Sequence, residues 1–145
     1  MKDQVFRVEY FVHIAGDRPG EGGNLGNRFK QEGVNLLAMS AFPIEKGKVQ
    51  VDIIPEHPED LRKAAKKLNI TLGEPKPAFL IQGSDRIGAM GEVMGQLGSA
   101  GINVKAVLGV CGGGDRYGAL LWVDPKDVES ASKILGATTM ATHKV

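Results

Sequence analysis

Asp85-Arg86-Ile87-Gly88-Ala89-Met90-Gly91-Glu92-Val93 decides the reading of this chain, because an earlier segment repeats its opening. Asp17-Arg18-Pro19-Gly20 stands at an offset of 68 residues (85 − 17) from Asp85-Arg86-Ile87-Gly88. At that same offset Gly23 meets Gly91, Leu25 meets Val93, Phe29 meets Leu97, Gly33-Val34-Asn35 meets Gly101-Ile102-Asn103, and Ala38 meets Ala106. His57-Pro58-Glu59-Asp60-Leu61 answers Asp124-Pro125-Lys126-Asp127-Val128 with the offset shortened by one. Such a repeat is too long for a solenoid unit and suits a small duplicated domain. Residues 1–74 and 75–145 are therefore read as two copies. Their junction around Gly73, Pro75 and Pro77 is a tight connection rather than a tether.

Periodicity gives each copy the same order of elements. Val5 to Ala15 alternates, with Phe6, Val8, Tyr10, Val12 and Ile14 on one face and Arg7, Glu9 and His13 on the other, which predicts a strand buried on the first face. Gly20 to Glu32 follows as a short helix built on Leu25 and Phe29 and closed by Gly33 at a left-handed C-cap. Asn35 to Phe42 and Lys48 to Ile54 are strands around a Glu45-Lys46-Gly47 turn. Pro58 opens a second helix with Leu61, Ala64, Ala65 and Leu68 on its apolar stripe, and a short strand near Ile70 to Leu72 completes the unit.

The second copy repeats this as a strand at Ala78 to Gln82, a helix at Gly88 to Ala100, and strands at Val104 to Cys111 and Tyr117 to Val123. A helix at Pro125 to Leu135 and a last strand within Thr138 to Val145 follow. The fold class is α+β: two ferredoxin-like βαββαβ domains in tandem. Leu120 and Trp122 make the second copy's sheet apolar on both faces, which predicts a cover over its outer face, from the sibling domain or a second chain.

Composition narrows the function. Eighteen basic and 17 acidic residues among 145 leave a formal charge of +1, so no global charge favours nucleic acid or an anionic membrane. The one cysteine, Cys111, excludes an internal disulfide and any cysteine-based zinc cage, and suits the cytoplasm. No signal-like or membrane-spanning apolar run is present in the sequence. Glycine is the unusual figure. Its 20 residues are about twice the average usage of roughly 7%, without a collagen-like period. Gly91, Gly95 and Gly98 within one helix each cost about 1 kcal/mol of propensity, which predicts a close approach to that helix's backbone.

Asp-Arg-x-Gly between the first strand and first helix, with Gly-Val/Ile-Asn before the second strand, resembles the ACT domain. Two in tandem cover essentially the whole chain, similar to stand-alone tandem-ACT proteins that bind amino acids. Gly22 departs from the pattern, which has an apolar residue there. The resemblance implies ligand sites at interfaces between ACT-like units, at the strand-to-helix loop and the Asn before the second strand. By position these are Asp17, Arg18, Gly20 and Asn35 in the first copy, and Asp85, Arg86, Gly88 and Asn103 in the second. An amino acid needs a carboxylate for its ammonium and N–H or cationic donors for its carboxylate, and a glycine turn entering a helix supplies the latter. Some serine-binding relatives carry a histidine where Ala15 and Gly83 stand, so serine is not implied.

Each signal has a structural alternative. Asp17 and Asp85 suit helix N-caps, Arg18 and Arg86 a solvated surface, Asn35 and Asn103 turns after a helix end. Gly20 to Gly26 fits neither a dinucleotide fingerprint nor a P-loop, so no cofactor is expected. Cys111 to Asp115 reads as a hairpin connection. His13, His57 and His143 lack metal-ligand spacing, Cys111 has no base beside it, and no basic-aromatic run suits RNA.

The expected function is therefore that of a non-catalytic regulatory protein, a homodimer binding a small amino acid. The rival is a docking or oligomerisation module, or regulatory subunit, for a separate metabolic enzyme. An enzyme ranks third, because no nucleophile, base and orienting group form a set.

Overall fold

A computed structural model describes residues 3–140. It divides into two compact units, one of residues 9–76 and one of residues 3–8 with 77–140. A cut between 74 and 75 therefore misses one feature: the first residues of the chain's first strand belong with the second copy.

The first unit holds most of β1 (Gln4–Gly16), then α1 (Glu21–Gln31), β2 (Leu36–Glu45), β3 (Lys48–Pro55) and α2 (Pro58–Leu68). Its strands run in the order β2-β3-β1, antiparallel, with Phe11 opposite Ile53 and Met39 opposite Ile53 on the other side. The core gathers Phe11, Leu25, Phe29, Val51, Ile53 and Leu61, all nearly or fully buried. Gly33 takes the left-handed conformation (φ 72°) and ends α1, with Val34 N donating to Phe29 O at 3.1 Å. Pro58 sits in the first turn of α2. The strand expected near Ile70 to Leu72 does not form. That segment instead runs beside β1 through isolated bonds, Gly73 N to Val12 O at 2.9 Å and His13 Nδ1 to Thr71 O at 2.9 Å.

The second unit continues with β4 (Lys76–Ser84), α3 (Ala89–Ser99), β5 (Val104–Gly113), β6 (Arg116–Val123), a 3₁₀ turn (Pro125–Asp127), α4 (Val128–Leu135) and β7 (Thr138–Thr139). Its strands are ordered β5-β6-β4, with the start of β1 beside β4. The described part of the last strand pairs in parallel with β1, Phe6 opposite Thr138. Residues 141–145 of that expected strand, and His143, lie outside the described residues. Val5, Phe79, Ile81, Val93, Leu97 and Leu121 form the core. Leu120, on the opposite face from Leu121, is also buried, as the two-sided apolar pattern of this copy anticipates.

The expectation for β1 holds only in part. On the face expected to be buried Val8 is buried and Phe6, Tyr10 and Val12 are half-buried, but Ile14 is 46% exposed. The helices cover the other face, where Val5 and Phe11 join the cores and where the charges of Arg7 and Glu9 interrupt the apolar pattern. Those charges meet partners on the helices at the sheet's rim: Arg7 pairs with Glu129 (2.7 Å), and Glu9 with Arg62 (3.7 Å), whose guanidinium lies 5.2 Å from the Phe11 ring centre.

Gly91, Gly95 and Gly98 do not meet a close neighbour. A Cβ at any of them would face open space, as at Gly22, Gly23 and Gly26, so the predicted approach to the α3 backbone is absent among the described residues. No helix of the described residues is long and apolar enough to cross a membrane.

Candidate functional site

The strand-to-helix loops of the two units share a geometry. Asp17 N donates to Gly47 O (3.0 Å) as Asp85 N donates to Asp115 O (2.8 Å), tying each loop to the hairpin beside it. Gly20 (φ 88°) and Gly88 (φ 80°) then take the left-handed conformation and act as the helix N-caps, with no side-chain cap bond in either case. This displaces the capping role considered for Asp17 and Asp85, because the cap falls three residues later on a glycine that a Cβ would strain.

The side chains around these loops differ between units. In the first, Arg18 is mostly exposed and bonds Glu21 (2.7 Å), the first residue of α1. Asn35 donates to Glu56 Oε2 at 2.8 Å, and Glu56 N returns a bond to Asn35 O at 2.9 Å. Asp17 and Gly20 are exposed.

In the second unit the loop closes one end of a cavity of about 270 Å³ lined by Asp85, Arg86, Gly88, Met90, Gly109 and Tyr117, together with Ala89, Gly91, Val110 and Cys111. Three of the four nominated residues of this copy meet there. Asn103 is exposed and is not part of the lining. The Asp85 carboxylate beside the Cys111 thiol pushes it up from the ordinary thiol pKa. Gly109 leaves room for Met90, whose sulfur would lie 3.1 Å from a Cβ at that position.

Arg86 lines this site and the neighbouring cavity beside Asp3. Its Nη1 and Nη2 donate to Asp3 Oδ1 and Oδ2 at 2.9 and 3.1 Å, a two-point fork. Nη1 also reaches Ser84 O (3.1 Å) and Nη2 reaches Glu92 Oε2 (2.6 Å). Tyr117 Oη donates to Asp3 Oδ2 at 2.7 Å. The Arg86 fork holds the Asp3 carboxyl below its ordinary pKa against an opposing push from burial, with Tyr117 helping. Burial first, then the Asp3 bond, pushes the Tyr117 phenol up to about 12.

Asp3, Gly109 and Tyr117 were not nominated as site residues from the sequence, and Gly83 entered only as a position where a histidine is absent. The repeat does carry a signal for two of them: Gly83 and Tyr117 stand at the offset of Ala15 and Val49, and each pair is in register across its strands. Among the described residues no cluster of metal-ligating side chains forms.

No family model matches the sequence, and no curated protein matches it either. Solved structures do. A protein of Bacteroides thetaiotaomicron superposes with a TM-score of 0.76 at 14% identity, covering 97% of this chain and 99% of that one. The regulatory subunit of aspartate kinase from Thermus thermophilus gives 0.62 at 10%, covering 94% and 95%, and that from Thermus flavus 0.56 at 10%, again 94% and 95%. The fold is thus α+β, with two ferredoxin-like units in tandem, as in these structures.

Proposed function

We propose that this chain is a non-catalytic regulatory protein that binds a small amino acid, and that the working site is the second unit's cavity. The observation that carries the reading is the convergence of Asp85, Arg86 and the Gly88 turn on one space of about 270 Å³. That volume lies just under the roughly 300–1,000 Å³ of drug-sized pockets, in keeping with a smaller ligand. Asp85 receives the ammonium. The carboxylate faces the N–H groups at the start of α3, where the helix dipole favours an anion. Ala89, Met90 and Val110 leave space for a short apolar or small side chain.

A cytoplasmic homodimer fits this reading. The edge strand β5 forms one wall of the cavity and exposes Val107, Leu108 and Val110 at 39, 52 and 63%. A neighbouring strand there would bury them and close the site. Ligand binding then acts by linkage, favouring whichever assembly it binds better.

The second reading, a regulatory subunit docked on a separate enzyme, draws on the first unit. Its nominated Arg18 and Asn35 are already bonded within the chain, and Met39, Phe42 and Ile44 on edge strand β2 are exposed. The aspartate kinase regulatory subunits of like fold suit it as well.

Calorimetric titration with the twenty amino acids separates these readings. The first predicts saturable heat with one or a few, weakened at least tenfold by Asp85→Asn, which is about 1.4 kcal/mol. Absence of heat at millimolar ligand would reject it and favour the second.

A further inference from the structure

Arg86 is the residue of the Asp-Arg-x-Gly motif that the structure uses most fully, and what it holds is another part of the same chain. Three features around it meet the needs of a carboxylate. The guanidinium offers a planar two-point fork, the pairing that carboxylates accept best. Tyr117 Oη adds a third donor on the same oxygen as Nη2. Gly83 supplies the space: a Cβ there would collide with the Asp3 carboxylate and stand 2.7 Å from the Tyr117 ring.

The fork is held in place independently of Asp3. Ser84 O and Glu92 Oε2 fix the guanidinium from its other sides, so the site stays organised if the carboxylate leaves. Asp3 itself precedes β1, outside the strand. A cavity of about 800 Å³, lined by Asp3, Arg86, Glu92, Gln96 and Lys133 among others, opens onto the pair and gives a small solute a route to it. The first unit has nothing comparable, since Ala15 and Val49 fill the matching register position and Arg18 turns to Glu21.

We propose that Arg86, Tyr117 and Gly83 form a carboxylate receptor whose resident is the chain's own Asp3, and that a small free carboxylate competes with Asp3 for it. Asp3 then acts as a built-in occupant that keeps the Arg86 fork closed until an outside carboxylate replaces it. This inference goes beyond amino-acid binding and is tested with a probe that carries no ammonium.

The test is chemical rescue by formate, which is the carboxylate that Asp3→Ala removes. Thermal melting of wild type, D3A and D3A/R86Q is followed in sodium formate against sodium chloride at equal ionic strength. D3A is expected to be stabilised by formate with an apparent Kd at least tenfold tighter than wild type, while D3A/R86Q shows no formate-specific rise. Amide shifts of Gly83 and Arg86 should move with formate at a concentration at least tenfold lower in D3A than in wild type. Equal formate responses in wild type and D3A, or a response that survives R86Q, would overturn the proposal. Should D3A fold only in formate, that outcome supports it. Should it fold in neither salt, Asp3→Asn replaces it, and a formate response of D3N no greater than that of wild type overturns the proposal. Failure here leaves the amino-acid titration untouched, and the reverse holds.

Discussion

Gly83 stands opposite Tyr117 across β4 and β6, and the space above the glycine holds the carboxylate that the phenol bonds, Asp3, at 2.7 Å. The glycine backbone there is not in the left-handed region, so its absent side chain matters for space alone. Gly83→Ala should therefore cost stability by overpacking, about 1–3 kcal/mol. Urea unfolding checks it, and a midpoint unchanged from wild type would contradict the close fit.

Acid should expose the same contact. Because Arg86 holds the folded carboxyl of Asp3 below the ordinary 3.8, its stabilisation is present above 3.8 and is lost as pH falls through the lower folded value. Comparison of urea midpoints for wild type and Asp3→Asn, from about pH 5 downward, should show the gap between them narrowing in that window. A constant gap would remove the ionised carboxylate from the account.

Alkali reads the partner. The Tyr117 phenol, raised to about 12 first by burial and then by Asp3, contributes stability below 10.0 that is lost as pH rises through about 12. In a Tyr10→Phe background, leaving Tyr117 as the sole tyrosine, tyrosinate absorbance should appear near 12. Adding Asp3→Asn should bring it part of the way towards 10.0, because burial remains.

Gly95 tests the helix. With open space at its Cβ and an ordinary helical φ, Gly95→Ala should stabilise the chain by about 0.4–1 kcal/mol. A loss of stability would mean that a second chain packs on α3 in solution, which concentration-dependent melting would then reveal.

The parts of this fold that were legible in the sequence were those set by local chemistry. Gly33 and Gly101 end helices because both adopt positive φ, 72° and 76°, and Pro58 starts one for the converse reason. The duplication placed both loops correctly. The helix-covered face of β1 did not show in the alternation because Arg7 and Glu9 sit on it, paired to helix residues far along the chain that no local pattern can announce. The site was half visible for a similar reason. Asp85, Arg86 and Gly88 carry a motif, whereas Asp3 reaches Arg86 only because β1 contributes its start to the second unit. The two units' equal motifs also concealed unequal sites, since the difference lies at Gly83 and Tyr117, outside the repeated Asp-Arg-x-Gly.

Gly109 offers the sharpest test that the second unit's cavity binds a small amino acid. It lies on exposed edge strand β5, at the repeat position of Ala41, and a side chain there projects against Met90 into the cavity. Valine suits a strand, and the flexible Met90 side chain must shift to admit it, so a melting curve of the variant accompanies the titration. Calorimetric titration of wild type and Gly109→Val with the amino acid that binds wild type should show saturable heat in the first and at least a tenfold loss of affinity in the second. Equal affinity in the two proteins would place the ligand elsewhere and contradict the assignment.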